Sequence, residues 1–123
     1  MYELKTIAQF GAAHRLNNIG GKCENLHGHN WKVETFVKGE ELDKNGLLVD
    51  FKVIKEEVEK IIDGLDHTFL NELEYFKDRN PSSENIARYL YDMLGNALNN
   101  ENIKVSRVTV WESDSACATY TPR

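Results

Sequence analysis

YELKTIAQFGAAHRL, residues 2–16, alternates in the manner of a β-strand. Its even positions Tyr2, Leu4, Ala8, Phe10, Ala12 and Leu16 make an apolar face, and His14 falls among them. The following NNIGGK, residues 17–22, reads as a turn in which Gly20 and Gly21 can take positive φ. A second strand is predicted from about His27 to Lys38. His27, His29, Trp31, Val33 and Val37 share one of its faces, against Lys32, Glu34 and Lys38 on the other. Two such strands across a short connection make an antiparallel pair.

Beyond the turn Asp43–Gly46, GLLVDF leads into a helix with Asp50 as N-cap and a stripe of Phe51, Ile54, Val58, Ile61, Ile62 and Leu65, ending at Gly64. LDHTFLNELEYFKDRN, residues 65–80, is irregular. Pro81-Ser82-Ser83-Glu84 opens a second helix with the stripe Ile86, Tyr89, Leu90, Met93, Leu94, Ala97 and Leu98. IKVSRVTVWE (103–112) returns to alternation, and ACATY (116–120) gives a short last strand. The order ββααββ favours an α+β fold, a four-stranded antiparallel sheet with two helices on one face, as a single domain over residues 1–123.

A hydrophobic fraction of 41% and a charged fraction of 28% suit a globular protein, and no run approaches the ~18 apolar residues of a membrane span. The N-terminus shows no basic segment followed by an apolar block. Two cysteines without secretory context suggest free thiols in a reducing compartment, so a cytoplasmic protein is expected. The net charge of −5 offers no footprint for nucleic acid, and a polyanionic ligand would need a local cluster of Lys and Arg.

The chemistry concentrates in CENLHGHNW, residues 23–31. Residues two apart on a strand point the same way, so His27 and His29 can bind one ion, and pairing with the first strand brings His14 alongside. Three imidazoles without a fourth protein ligand is the pattern of a catalytic zinc site, with one position left for water or substrate. Nickel, iron and copper also suit imidazole. The alternative is a polar strand start beside a hydrogen-bonded core histidine. Cys23 has three readings: a fourth ligand, a thiol beside the metal whose pKa the cation lowers, or a small buried hydrophobe. Cys117 reads as the last of these.

Asp66-His67 offers a carboxylate that can orient an imidazole, if the adjacent side chains meet, or else a chance pair in a loop. Glu112 ends the run VTVWE on the face of Val108 and Val110, where a carboxylate is costly unless paired. It can take an amino-heterocycle edge through two parallel hydrogen bonds, or an internal salt bridge. Ser82 and Ser83 read as helix caps at an N-terminus that can also receive a polar ligand group.

In order along the chain, FGAAHRL (10–16), CENLHGHNW, GLLVDF, LDHTFLN, NPSSENIA and VTVWES resemble the 6-pyruvoyltetrahydropterin and 6-carboxytetrahydropterin synthase family. The resemblance implies the tunnelling fold (T-fold), assembled as hexamers of two stacked trimers with active sites between subunits. It implies zinc (Zn2+) on His14, His27 and His29, Cys23 as catalytic thiol, and Asp66 and His67 as a relay from a neighbouring subunit. It also implies Glu112 as pterin anchor and Ser83 lining the pocket. The implied substrate is the small molecule 7,8-dihydroneopterin triphosphate. The gap of three residues between Cys23 and His27 is similar to that of the 6-carboxytetrahydropterin synthases of queuosine biosynthesis, whereas pyruvoyl-forming synthases carry a longer gap. A third group has glutamate in place of the cysteine. The resemblance leaves the triphosphate site open, with Arg15, Lys22 and Lys52 as candidates. Two further possibilities are a catalytically silent pterin- or zinc-binding subunit, against which the Cys23, Asp66 and His67 set argues, and a structural zinc module, against which three ligands argue.

Overall fold

The computed structural model describes residues 1–21 and 24–123 in full. Strand β1 (Tyr2–His14) turns back antiparallel to β2 (His27–Gly39), pairing His14 with His27 and Ala12 with His29. Helix α1 (Phe51–Ile62) follows, then a two-residue strand β3 (Thr68–Phe69), helix α2 (Ser83–Leu98), and strands β4 (Ile103–Ser113) and β5 (Ala116–Tyr120). The sheet order is β3-β1-β2-β4-β5.

One face of this sheet is covered. Phe10 and Ala12 from β1, Trp31, Val33 and Val37 from β2, and Val105, Val108 and Val110 from β4 share a core with Ile54, Val58 and Ile62 of α1 and Ile86, Leu90, Leu94 and Leu98 of α2. The helices begin where side chains satisfy their free N–H groups: Asp50 accepts from Lys52 N, and Ser82 accepts from Asn85 N.

The sheet has five strands, not four, in the order ββαβαββ. The added strand is parallel, setting Thr68 and Phe69 beside Ala12 and Ala13. It forms because the chain leaving α1 satisfies the free edge of β1: His67 N donates to Gly11 O at 2.6 Å, and Asp66 Oδ1 accepts from Gly11 N at 2.8 Å. The predicted first strand stops at His14, because the backbone of Arg15 is taken by the side chain of Asn71 in both directions. The buried stripe of α2 is also rotated from expectation. Ala87 is buried, while Met93 and Ala97 are exposed. At the start of α1, Phe51 is exposed as well.

Strand β4 departs from simple alternation twice. Val37 faces Val105 but Phe36 faces Arg107, so Ser106 is an extra residue. This bulge lets Ile103 and Val105 before it, and Val108 and Val110 after it, all point into the core. A second bulge lies between Trp111, opposite Cys117, and Ser113, opposite Ala116. Glu112 is the residue it adds.

Candidate metal centre and the residues around it

His14, His27 and His29 meet on the helix-covered face, at the end of the β1–β2 pair. Glu112 joins them from β4, and the four side chains offer ligand atoms that all lie within 4.8 Å of one another. His14 is fully buried. Its Nδ1 lies 2.7 Å from the carbonyl of Pro81, and Nδ1 of His27 lies 2.7 Å from the carbonyl of Asn25. A carbonyl only accepts, so both rings carry their proton on Nδ1 and present a lone pair on Nε2. Those two Nε2 atoms lie 3.1 Å apart. Two lone pairs at that distance call for a cation or a proton between them. Backbone carbonyls on the outer nitrogens are the usual means of orienting metal-binding imidazoles.

Burial lowers the pKa of His14 and His29, which favours the neutral, ligating form. Glu112 opposes this in both rings, as a nearby negative charge must. Its Oε1 lies 3.4 Å from Nε2 of His14 and 3.3 Å from Nε2 of His29. Yet Nε2 of His29 is buried without a hydrogen-bond partner. Trp31 forms the floor. It is fully buried, donates its indole N–H to the carbonyl of Ala12 at 3.2 Å, and meets His14 and His29 edge-on at 4.9 and 5.2 Å.

The turn before α2 is tied down on both sides. Asn85 Nδ2 donates to Asn80 O, while Asn80 holds the backbone of Asn17 in both directions. This fixes the Pro81 carbonyl against the outer nitrogen of His14, just ahead of the Ser82 cap of α2.

Asp66 and His67 do meet. Asp66 Oδ2 lies 3.0 Å from Nδ1 of His67, and Asp66 is held below the usual carboxylate range first by the Gly11 backbone N–H and then by His67. His67 has φ 58, in the left-handed region that is costly for a residue with a Cβ. Its side chain is 87% exposed. The dyad does not join the imidazole cluster. His67 borders a shallow depression of about 490 Å³ with Gly11, Ala12, Ala13, Gly28, His29, Asn30 and Thr68. Gly11, Ala13, Gly28 and Asn30 alternate out of phase with His14, His27 and His29, whereas Ala12 is in phase with them, so the depression touches positions of both faces, one imidazole of the cluster among them.

Cys23 lies outside the described residues, as does Lys22. The sequence reading missed the carbonyls of Pro81 and Asn25, which leave no side-chain signature. It also missed the approach of Glu112 to the imidazoles. The signal for that was its shared face with Val108 and Val110.

The fold and this cluster define an α+β protein in which three histidines and one glutamate form a group that could hold a metal ion. The sequence matches the 6-pyruvoyl tetrahydropterin synthase family over residues 3–123, and the chain belongs to that family. It is 33% identical to the 6-carboxy-5,6,7,8-tetrahydropterin synthase of Bacillus subtilis over 99% of this chain and 86% of that one. It is 34% identical to the dihydroneopterin monophosphate aldolase of Pyrococcus furiosus over 87% and 86%. The structure of Caenorhabditis elegans 6-pyruvoyl tetrahydropterin synthase superimposes with a TM-score of 0.89 at 29% identity, covering 99% of this chain and 96% of that one. The architecture is therefore the tunnelling fold. Among the described residues, no helix is long and apolar enough to cross a membrane.

Proposed function

We propose that the chain is a cytoplasmic, zinc-dependent enzyme of queuosine precursor synthesis. With uptake of one water, it converts 7,8-dihydroneopterin triphosphate to 6-carboxy-5,6,7,8-tetrahydropterin, breaking the bond between the first and second side-chain carbons and releasing acetaldehyde and triphosphate. The observation that carries this reading is the convergence of three imidazoles, two of them with Nδ1 locked onto carbonyls and Nε2 turned inward. Family membership and relatives named as 6-carboxy-forming synthases supply the substrate class.

His14, His27 and His29 would hold zinc, which supplies Lewis acidity toward the hydroxyl oxygens of the substrate side chain. No redox cofactor is needed, because oxidation of the side chain is balanced by reduction of the pterin ring; proton transfers drive that exchange, the loss of triphosphate, the addition of water and the carbon–carbon cleavage that frees acetaldehyde. Asp66 holds the proton of His67 on Nδ1, leaving Nε2 to take or deliver one. Cys23 serves as the second acid–base group, on the segment that enters β2. Glu112 grips the ring so that these groups meet the right carbons, and Ser83 lines the pocket. Sites built between copies, in a hexamer of two trimers, complete this reading; it is supported by family membership and by the dyad lying outside the four-residue cluster.

The second reading is elimination of triphosphate to a pyruvoyl product, favoured by the likeness to the C. elegans structure. Incubation with 7,8-dihydroneopterin triphosphate separates the two. Carboxytetrahydropterin with acetaldehyde is expected, and a pyruvoyl product without acetaldehyde moves the assignment to the second reading. A zinc-loaded chain that binds pterin without turnover would instead be the silent subunit. Cys23→Ala is expected to keep the metal and lose activity.

A further inference from the structure

We propose that Glu34 is a positioning residue for Glu112: it latches the side chain of Trp111 to the face of the sheet away from the helices, and so aims the next residue at the ring it anchors. This rests on the function proposed above and deepens it, by naming what holds the anchoring carboxylate in place.

The backbone creates the need for a latch. Pairing between β2 and β4 ends at Lys32 opposite Trp111. On the other side, β4 sets Trp111 against Cys117 and Ser113 against Ala116, so the β5 register passes over Glu112. Glu112 therefore lies beyond one ladder and is the extra residue of a bulge in the other. Its aim depends on the residue that flanks it, not on a pair of its own. A slip of one residue there would send its carboxylate to the opposite face.

Glu34 supplies the hold. The indole N–H of Trp111 donates to Glu34 Oε1 at 2.7 Å, and Nζ of Lys5 lies 3.2 Å from Oε2. One carboxylate thus ties β4 to β2 and, through Lys5, to β1. Lys32 places its ammonium 4.7 Å from the centroid of the Trp111 ring and steadies it further. The Glu34 side chain is only 13% exposed. Its carboxyl is held below the usual range, first by the indole N–H and, against burial, by Lys5 and Lys32. An ionised acceptor makes the stronger kind of hydrogen bond. Successive side chains of a strand point to opposite faces, so Trp111 pinned on one face delivers Glu112 to the other. There Glu112 Oε1 arrives 3.3 Å from Nε2 of His29. The three imidazoles stand on β1 and β2, so the latch governs the ring and not the ion.

Unsubstituted pterin is the probe, because it carries the ring edge without the side chain, and its fluorescence reports its binding to the zinc-loaded chain. Trp111→Phe keeps an aromatic ring and loses the indole N–H, while Glu34→Ala loses the acceptor. Each is expected to weaken pterin binding by on the order of tenfold, with zinc uptake unchanged. The loss should vanish once Glu112 is gone. Trp111→Phe added to Glu112→Ala should leave the residual pterin binding of Glu112→Ala as it is, because a latch acts only through the residue it aims. A general disturbance of the sheet would lower binding in both backgrounds. Unchanged binding in Trp111→Phe and Glu34→Ala, or an equal loss with Glu112 already removed, would overturn the inference while leaving the proposed function standing. A wild-type chain that binds no pterin would remove the anchoring role of Glu112, and this proposal with it.

Discussion

Burial favours the neutral form of His14, against the Pro81 carbonyl and Glu112, which favour the protonated ring, and the consequence is measurable without any metal. Burial pushes His14 and His29 below the ordinary imidazole value of about 6.5. Between that value and the lowered ones, the unfolded chain binds protons that the folded chain refuses. Stability is therefore full above about pH 6.5 and falls as the pH drops through that range. Denaturant titrations of the metal-stripped protein should show the midpoint falling on acidification, and His14→Gln should flatten the dependence. Asp66 calls for a different test. Asn at position 66 keeps an acceptor for the Gly11 N–H but removes the charge facing Nδ1 of His67. Asp66→Asn is expected to lower kcat by roughly 10²- to 10⁴-fold, with zinc content unchanged by elemental analysis.

Strands β1 and β2 hold the imidazoles by alternation alone, whereas β4 needs its two bulges to bring Glu112 to them. This difference explains what was legible in the sequence. Alternation placed His14, His27 and His29 on one face, and capping residues placed both helix starts at Asp50 and Ser82. β3 was not legible, because its two residues are set beside β1 by the tertiary hydrogen bonds of Asp66 and His67 with Gly11 rather than by a pattern of their own. The bulge at Ser106 was hidden because IKVSRVTVWE reads as an unbroken strand. Met93 misled the reading of α2 because apolar residues also occur on exposed faces. At this scale Gly39 is the sharpest test. A Cβ there would lie 2.6 Å from Asn102 O and 2.7 Å from Leu48 Cδ1. Gly39→Ala should cost about 1–3 kcal/mol in denaturant unfolding. Zinc stoichiometry should not change, since Gly39 lies at the opposite end of β2 from His27.

For the whole molecule, the arrangement that matters is that the Asp66–His67 dyad stands apart from the imidazole cluster. His67 and His29 border the same depression, yet neither Asp66 nor His67 is among the four side chains that gather ligand atoms. In the assembly proposed above, the cluster and the dyad of one site belong to different copies. Mixed assemblies of His14→Ala and Asp66→Asn chains should then recover part of the activity that each variant lacks alone. Recovery requires one intact cluster facing one intact dyad, so assemblies with both substitutions on every chain should recover nothing. The most direct measurement joins metal and product in one reaction. Chain stripped of metal is given 7,8-dihydroneopterin triphosphate with and without added zinc, and 6-carboxytetrahydropterin and acetaldehyde are followed together. The account predicts both products in equal amounts, only when zinc is present. Equal turnover without the metal, or no turnover with zinc bound, would contradict it.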